Sequence, residues 1–238
     1  MAHRRATGAV ESSGRRLRCL GSAPLTMAES IVGVDLSGPS NTGETVVVLF
    51  RSKGSALHYL RCGEGTDRAI RDLVSSAAET TLVSVGLDAP LSYQPGGGDR
   101  LRDRDLRRHL IARGLHPGSV MAPTMTRMGY LTLRGLAVAR FLHIPNVKVV
   151  EVHPGGVFAL RGAPIASVQS FRATLECQLD LLNWLEDQGL RGIERPNPCT
   201  SHFVAACAAA LGAHHWRRKQ TVWLAQAEPP FHPFDFAC

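Results

Sequence analysis

Three acidic residues stand where apolar runs stop: Asp35 closes IVGV, Asp88 closes VSVGL and Glu151 closes VKVV. A carboxylate at the end of a buried strand is costly unless it is paired or binds a metal, so the economical expectation is that the three share a cation. Oxygen-rich clusters hold hard Mg²⁺ or Mn²⁺, and a metal pair about 4 Å apart can activate water and stabilise the leaving oxygen in phosphodiester hydrolysis. Asp35, Asp88 and Glu151 are therefore the expected metal ligands and catalytic acids. Singly, each has a local alternative: Asp35 before Ser-Gly and Asp88 before Ala-Pro are turn formers, and Glu151 could pair with Lys148 or an arginine. Local turn chemistry does not, however, predict repetition on three strands. His153 lies two residues after Glu151, on the same side of an extended segment, as a candidate proton shuttle or support for a ligand. Its alternative is a local hydrogen bond ahead of Pro154.

These acids must be positioned by a sheet. IVGVDLSG (31–38), TVVVLF (45–50) and SALHYLRC (55–62) read as three strands joined by turns. A helix over 66–80 behind the capping residue Thr66 and a strand over 81–90 follow. The glycine loop YQPGGG (93–98) precedes an arginine-rich helix over 99–114, in which Asp99, Asp103 and Asp105 predict a solvated, self-paired face. A helix through Leu131 and Phe141, a strand over 146–156, helices around 168–187 and 201–213, and a short run at 221–225 complete the chain. Hairpin-type strands followed by strands alternating with helices predict a single α/β domain, a mixed sheet covered by helices, with ligands beyond the carboxyl ends of the strands.

Composition limits the function classes. The apolar fraction of 44% and charged fraction of 20% are those of a globular chain. No run approaches the roughly 18 apolar residues of a membrane span. Much of the formal charge of +7 lies in residues 1–26, where Arg4, Arg5, Arg15, Arg16 and Arg18 face only Glu11. The mild excess elsewhere permits a nucleic-acid partner without requiring one. The leader 1–26 reads as a disordered basic segment ahead of a domain over 27–238, with Met1 and Met27 as competing starts. Six cysteines without C-x-x-C spacing speak against a zinc site and for reduced thiols in a cytoplasmic protein.

VGVDLSGPSNTG, GLDAPLS with the downstream GGGDR and DRDLRR, TLRG and VVEVHPGG occur in that order over residues 31–225. The ordered set resembles the domain of unknown function 429 family, described as predicted ribonuclease H-like nucleases. The resemblance implies a ribonuclease H-like fold, a metal-dependent nuclease activity on RNA or DNA, and Asp35, Asp88 and Glu151 as the acidic site. It also implies that the helix carrying His202 faces this site, so that His202 offers an imidazole to a metal or its water. One departure stands out: Ala205 occupies the place where the family's helix carries an acid, which implies a weakened second metal and low activity. Two other readings of the same fold remain open at this point. The Asp35–Gly43 loop faintly resembles the phosphate loop of actin-like ATPases, which would make the chain a nucleotide-binding protein, and Ala205 favours a degenerate interaction protein.

Overall fold

The computed structural model describes Met1 and residues 28–238, and the expectation of a basic leader over 1–26 lies outside the described residues. Strand β1 (Glu29–Asp35) is buried along almost its whole length and pairs on one side with β2 (Val46–Lys53), antiparallel. A tight turn at Gly54 returns the chain as β3 (Ala56–Gly63), antiparallel to β2. Helix α1 (Asp67–Ala78), capped by the Thr66 hydroxyl on the Ala69 amide, buries Ile70, Leu73 and Val74 and leads to β4 (Leu82–Asp88), parallel to β1. Helices α2 (Leu101–Ala112) and α3 (Arg127–Phe141) precede β5 (Val147–Val152), parallel to β4. Then come α4 (Pro154–Leu160), α5 (Ile165–Ser170), α6 (Leu175–Asp187), β6 (Leu190–Arg191), α7 (Ser201–Arg217), β7 (Leu224–Ala225) and β8 (Phe236–Ala237).

The result is one α/β domain with an eight-stranded mixed sheet in the order β6-β3-β2-β1-β4-β5-β8-β7. One core, which includes Val32, Val34, Val85 and Leu87, takes in α1 and the end of α3; the other, with Ile31, Val48 and Val150, is covered chiefly by α4, α6 and α7. Several details differ from expectation, and one is that the strand expected over 146–156 ends at Val152, with Pro154 opening α4. The segment 168–187 is two helices, α5 and α6, interrupted around Phe171–Thr174, where the Thr174 hydroxyl caps α6 on the Cys177 amide. The face over 99–114 is self-paired, through Arg107 with Asp99 and Arg108 with Asp105, but it is not wholly solvated: Arg100, Arg102 and Asp103 are buried. Among the described residues no helix is long and apolar enough to cross a membrane.

Helix α7 lies unusually close to the sheet because of two glycines. Gly33 on β1 and Gly86 on β4 are register partners, and a Cβ on either would collide with the α7 backbone, at the carbonyl of Ala206 for Gly33 and of Ala209 for Gly86. The alanines of α7, from Ala205 to Ala213, are small enough to keep that approach. Gly33 and Gly86 each stand two residues before an acid, so the helix is anchored next to the carboxylates at the strand ends.

Candidate functional site

Asp35 and Asp88 end two neighbouring parallel strands and are direct register partners, so their carboxylates project together from the same side of the sheet. Asp35 is buried and Asp88 half-buried. Burial, reinforced by the facing charge of Asp35, pushes the Asp88 carboxyl well above the usual carboxylate range. Among the described residues no hydrogen-bond donor reaches the Asp88 side chain, whereas Asp35 accepts a 2.6 Å bond from Nδ1 of His202.

His202 is the second residue of α7, whose first turn is closed by the Thr200 hydroxyl on the Phe203 amide. Its bond to Asp35 raises the imidazole above its ordinary value. Nε2 has no partner among the described residues, and the side chain is 38% exposed to the cleft described below. The geometry is that of an oriented base: one ring nitrogen held by a carboxylate, the other open to a substrate or a water.

Glu151 is not arranged as the sequence suggested. Its register partner on β4 is Leu87, one residue short of Asp88, so Glu151 leaves its strand on the face opposite to Asp88, although it still lines the cleft that holds the acid pair. Its carboxylate is taken by Arg100, which donates Nη2 to Oε1 at 2.5 Å and Nη1 to Oε2 at 2.8 Å. The Leu91 amide donates to the same Oε2 at 3.0 Å. Arg100 also binds Asp103 and the Ser92 hydroxyl and lies over the Phe236 ring, 5.4 Å from its centroid. Asp103 completes the cluster with a bond from the Arg100 amide. Glu151 thus holds the turn that follows Asp88, and the expected set of three convergent carboxylates becomes a pair. Among the described residues no group of three His, Cys, Asp or Glu side chains is placed to hold one metal ion.

His153 is likewise reassigned. Its Nδ1 accepts from the Gly156 amide at 2.9 Å, capping α4, and Nε2 donates to the Ser119 carbonyl at 2.8 Å. Burial lowers its pKa. With both ring nitrogens committed in the neutral form, a structural cap replaces the expected proton shuttle.

The acid pair and His202 lie in a cleft of about 1150 Å³. The Ser37–Asn41 loop forms one edge, the start of α3 with Arg127, Met128, Tyr130 and Leu131 one wall, and Val168, Phe171 and Arg172 another. Arg134, from the TLRG motif, is buried and spends its guanidinium on Asp67, the Ser37 carbonyl, the Thr45 hydroxyl and the Gly65 carbonyl, so it staples that loop in place. Arg127 and Arg172 are exposed and, among the described residues, have no acidic partner. Sequence reasoning allowed Glu151 an arginine partner without naming Arg100, and it missed both cleft arginines. Arg100 had a usable signal in its place directly behind the GGGD loop; Arg127 and Arg172 had none.

The matched region of the chain is long: residues 33–229 fit a family model described as "Protein of unknown function (DUF429)". No curated protein and no solved structure matches.

Proposed function

The chain belongs to the DUF429 family of proteins of unknown function, and on that premise we propose that it is a metal-dependent phosphodiesterase acting on nucleic acid, built on a ribonuclease H-like sheet. The antiparallel β1–β3 meander continued by parallel β4 and β5 supports the fold reading. The observation that carries the activity is the in-register pair Asp35–Asp88 with His202 bonded to Asp35.

The donor set fits one hard cation. Two facing carboxylates, one without a protein donor among the described residues and with its ionised form disfavoured by burial and by the other, would be relieved by a bound divalent cation. Mg²⁺ and Mn²⁺ suit such oxygen donors, and Mg²⁺ commonly takes one or two carboxylates, with water and substrate phosphate filling the remaining positions. Asp35 and Asp88 would hold it; Glu151, occupied by Arg100, would not. When bound, the cation would supply Lewis-acid stabilisation of the charge that develops on the phosphoryl group.

The chain's own residues account for the remainder. Asp35 fixes the imidazole through Nδ1, leaving Nε2 of His202 to accept a proton from a water in the cleft as its oxygen adds to phosphorus. The bond to the leaving oxygen breaks, and that oxygen takes its proton from the solvent-filled cleft. Arg127 and Arg172 offer cationic contacts for the flanking phosphates. Ala205 supplies no further ligand, so a single cation and a slow reaction are expected.

Mg²⁺- or Mn²⁺-dependent cleavage of a short fluorogenic oligonucleotide tests this, together with calorimetric titration of the metal. Asp35→Asn should lose both cation binding and cleavage. His202→Ala should keep the cation and lose about 10²- to 10⁴-fold in rate. Cleavage that persists in Asp35→Asn with unchanged chelator sensitivity would overturn the assignment.

A further inference from the structure

The walls of the cleft carry more than the chemistry at its floor requires. Tyr130, on the wall, is 64% exposed and makes no hydrogen bond among the described residues. Arg127 precedes it by three residues on α3, so the two share a flank of that helix. Met121, also a lining residue, is 42% exposed. On another wall Arg172 lies beside the Phe171 ring, 5.8 Å from its centroid, and its charge reaches Asp88 and His202.

Most of the arginines around this region are committed. Arg100 and Arg134 are buried in ion clusters, Arg107 holds Asp99 and Arg108 holds Asp105. Arg127 and Arg172 form no ion pair among the described residues, and both line the cleft that holds the Asp35–Asp88 pair. A free guanidinium beside an open aromatic face is the arrangement that binds an unpaired nucleotide: the cation takes the phosphate and the ring takes the base. A base inside a duplex is stacked on both sides and cannot lie on Tyr130, and the acid pair is recessed between walls rather than set on an open face.

We propose that the cleft binds a single, unpaired polynucleotide strand, with Arg127 and Arg172 on successive stretches of the phosphate backbone and one base stacked on Tyr130. This rests on the phosphodiesterase reading for its biological sense but not for its test. The probe is a short fluorescein-labelled oligonucleotide of mixed sequence, as single-stranded DNA, as single-stranded RNA and as the corresponding duplexes. Binding is followed by anisotropy in chelator, where no metal-dependent turnover occurs. Either single strand should bind at least about tenfold tighter than its duplex. Tyr130→Ala should weaken single-strand binding by about tenfold, the size of one lost base–aromatic stack, while Tyr130→Phe, which keeps the ring, should bind like the parent. Arg127→Ala should reduce the slope of log affinity against log salt by about 0.7. Both positions are exposed, and an unchanged melting temperature excludes misfolding as the cause. Duplex binding as tight as single-strand binding, no binding to any of the probes, or an unchanged affinity in Tyr130→Ala would overturn the proposal. Tight single-strand binding without cleavage once Mg²⁺ or Mn²⁺ is added would instead overturn the phosphodiesterase reading and leave this one standing.

Discussion

Both oxygens of Glu151 are taken by three donors at a largely buried position, and that arrangement explains why a strand-end acid need not be a ligand. Arg100 is 1% exposed, and its charge is balanced by Glu151 and Asp103 together. Removing one partner of a buried ion pair leaves the other charge uncompensated. Glu151→Gln is therefore expected to lower stability by about 3 kcal/mol, read from urea denaturation, while the calorimetric affinity of the Asp35–Asp88 pair for Mn²⁺ changes by less than about threefold, well under the tenfold that 1.4 kcal/mol represents. A ligand role would give the opposite pattern, with metal affinity lost. At this scale the sequence made the acids visible because a carboxylate at the end of an apolar run is conspicuous. It could not show which acid had a private cation, since Arg100 reaches Glu151 from 51 residues away. His153 was open to both readings, and the amide of Gly156 decided between them.

Among the elements, α7 decides what the site contains. Gly33 sits under the backbone of Ala206 and Gly86 under that of Ala209. One helical turn back from these positions are His202 and Ala205, and two residues forward on the strands are Asp35 and Asp88, so from the offset that sets His202 on Asp35 we infer that Ala205 is directed towards Asp88. Ala205 is buried, so Ala205→Asp without metal should cost several kcal/mol through an unpaired carboxylate next to Asp88. With Mn²⁺ the same variant should recover much of that loss and bind the ion more tightly than the parent protein. Melting with and without Mn²⁺ checks this, and a variant indifferent to the ion would show that α7 does not complete the site. The sequence carried this packing in a form easily passed over. Both strands read Val-Gly-x-Asp, and a strand-interior glycine on the same face as the acid marks close approach of another backbone. The interruption between α5 and α6 was less legible, because the apolar spacing of 168–187 continues across it and only the Thr174 cap betrays the restart.

For the molecule as a whole, the long strands β1 to β5 were legible from apolar runs and turn residues, and with them the mixed α/β architecture. The two-residue strands β6, β7 and β8 were not, because so short a strand has no period of its own and exists only by pairing with one already placed. Stability against acid is also a property of the whole. His214 and His215, late in α7, are held neutral, His215 by burial and then by the charge of Arg161, which lower its pKa from 6.5 to about 4. Its two ring nitrogens have no partner at ordinary hydrogen-bond geometry among the described residues. The folded value lies below the unfolded one, so as pH falls from 6.5 towards 4 the unfolded chain gains a proton that the folded chain refuses. Stability should drop through that window and level off beneath it for this group, with His214 adding in the same direction because its pKa is lowered too. His215→Gln should make the melting temperature flatter across the same range; an unchanged slope would place the acid sensitivity elsewhere.

The bond from His202 to Asp35 joins positions 167 residues apart. During synthesis the two strand carboxylates leave the ribosome long before α7 does, and in that interval they face each other without the imidazole and without the helix that packs over Gly33 and Gly86. The base arrives only with the last long element. On the proposed phosphodiesterase reading, the acid pair and its imidazole therefore come together only when the fold is complete.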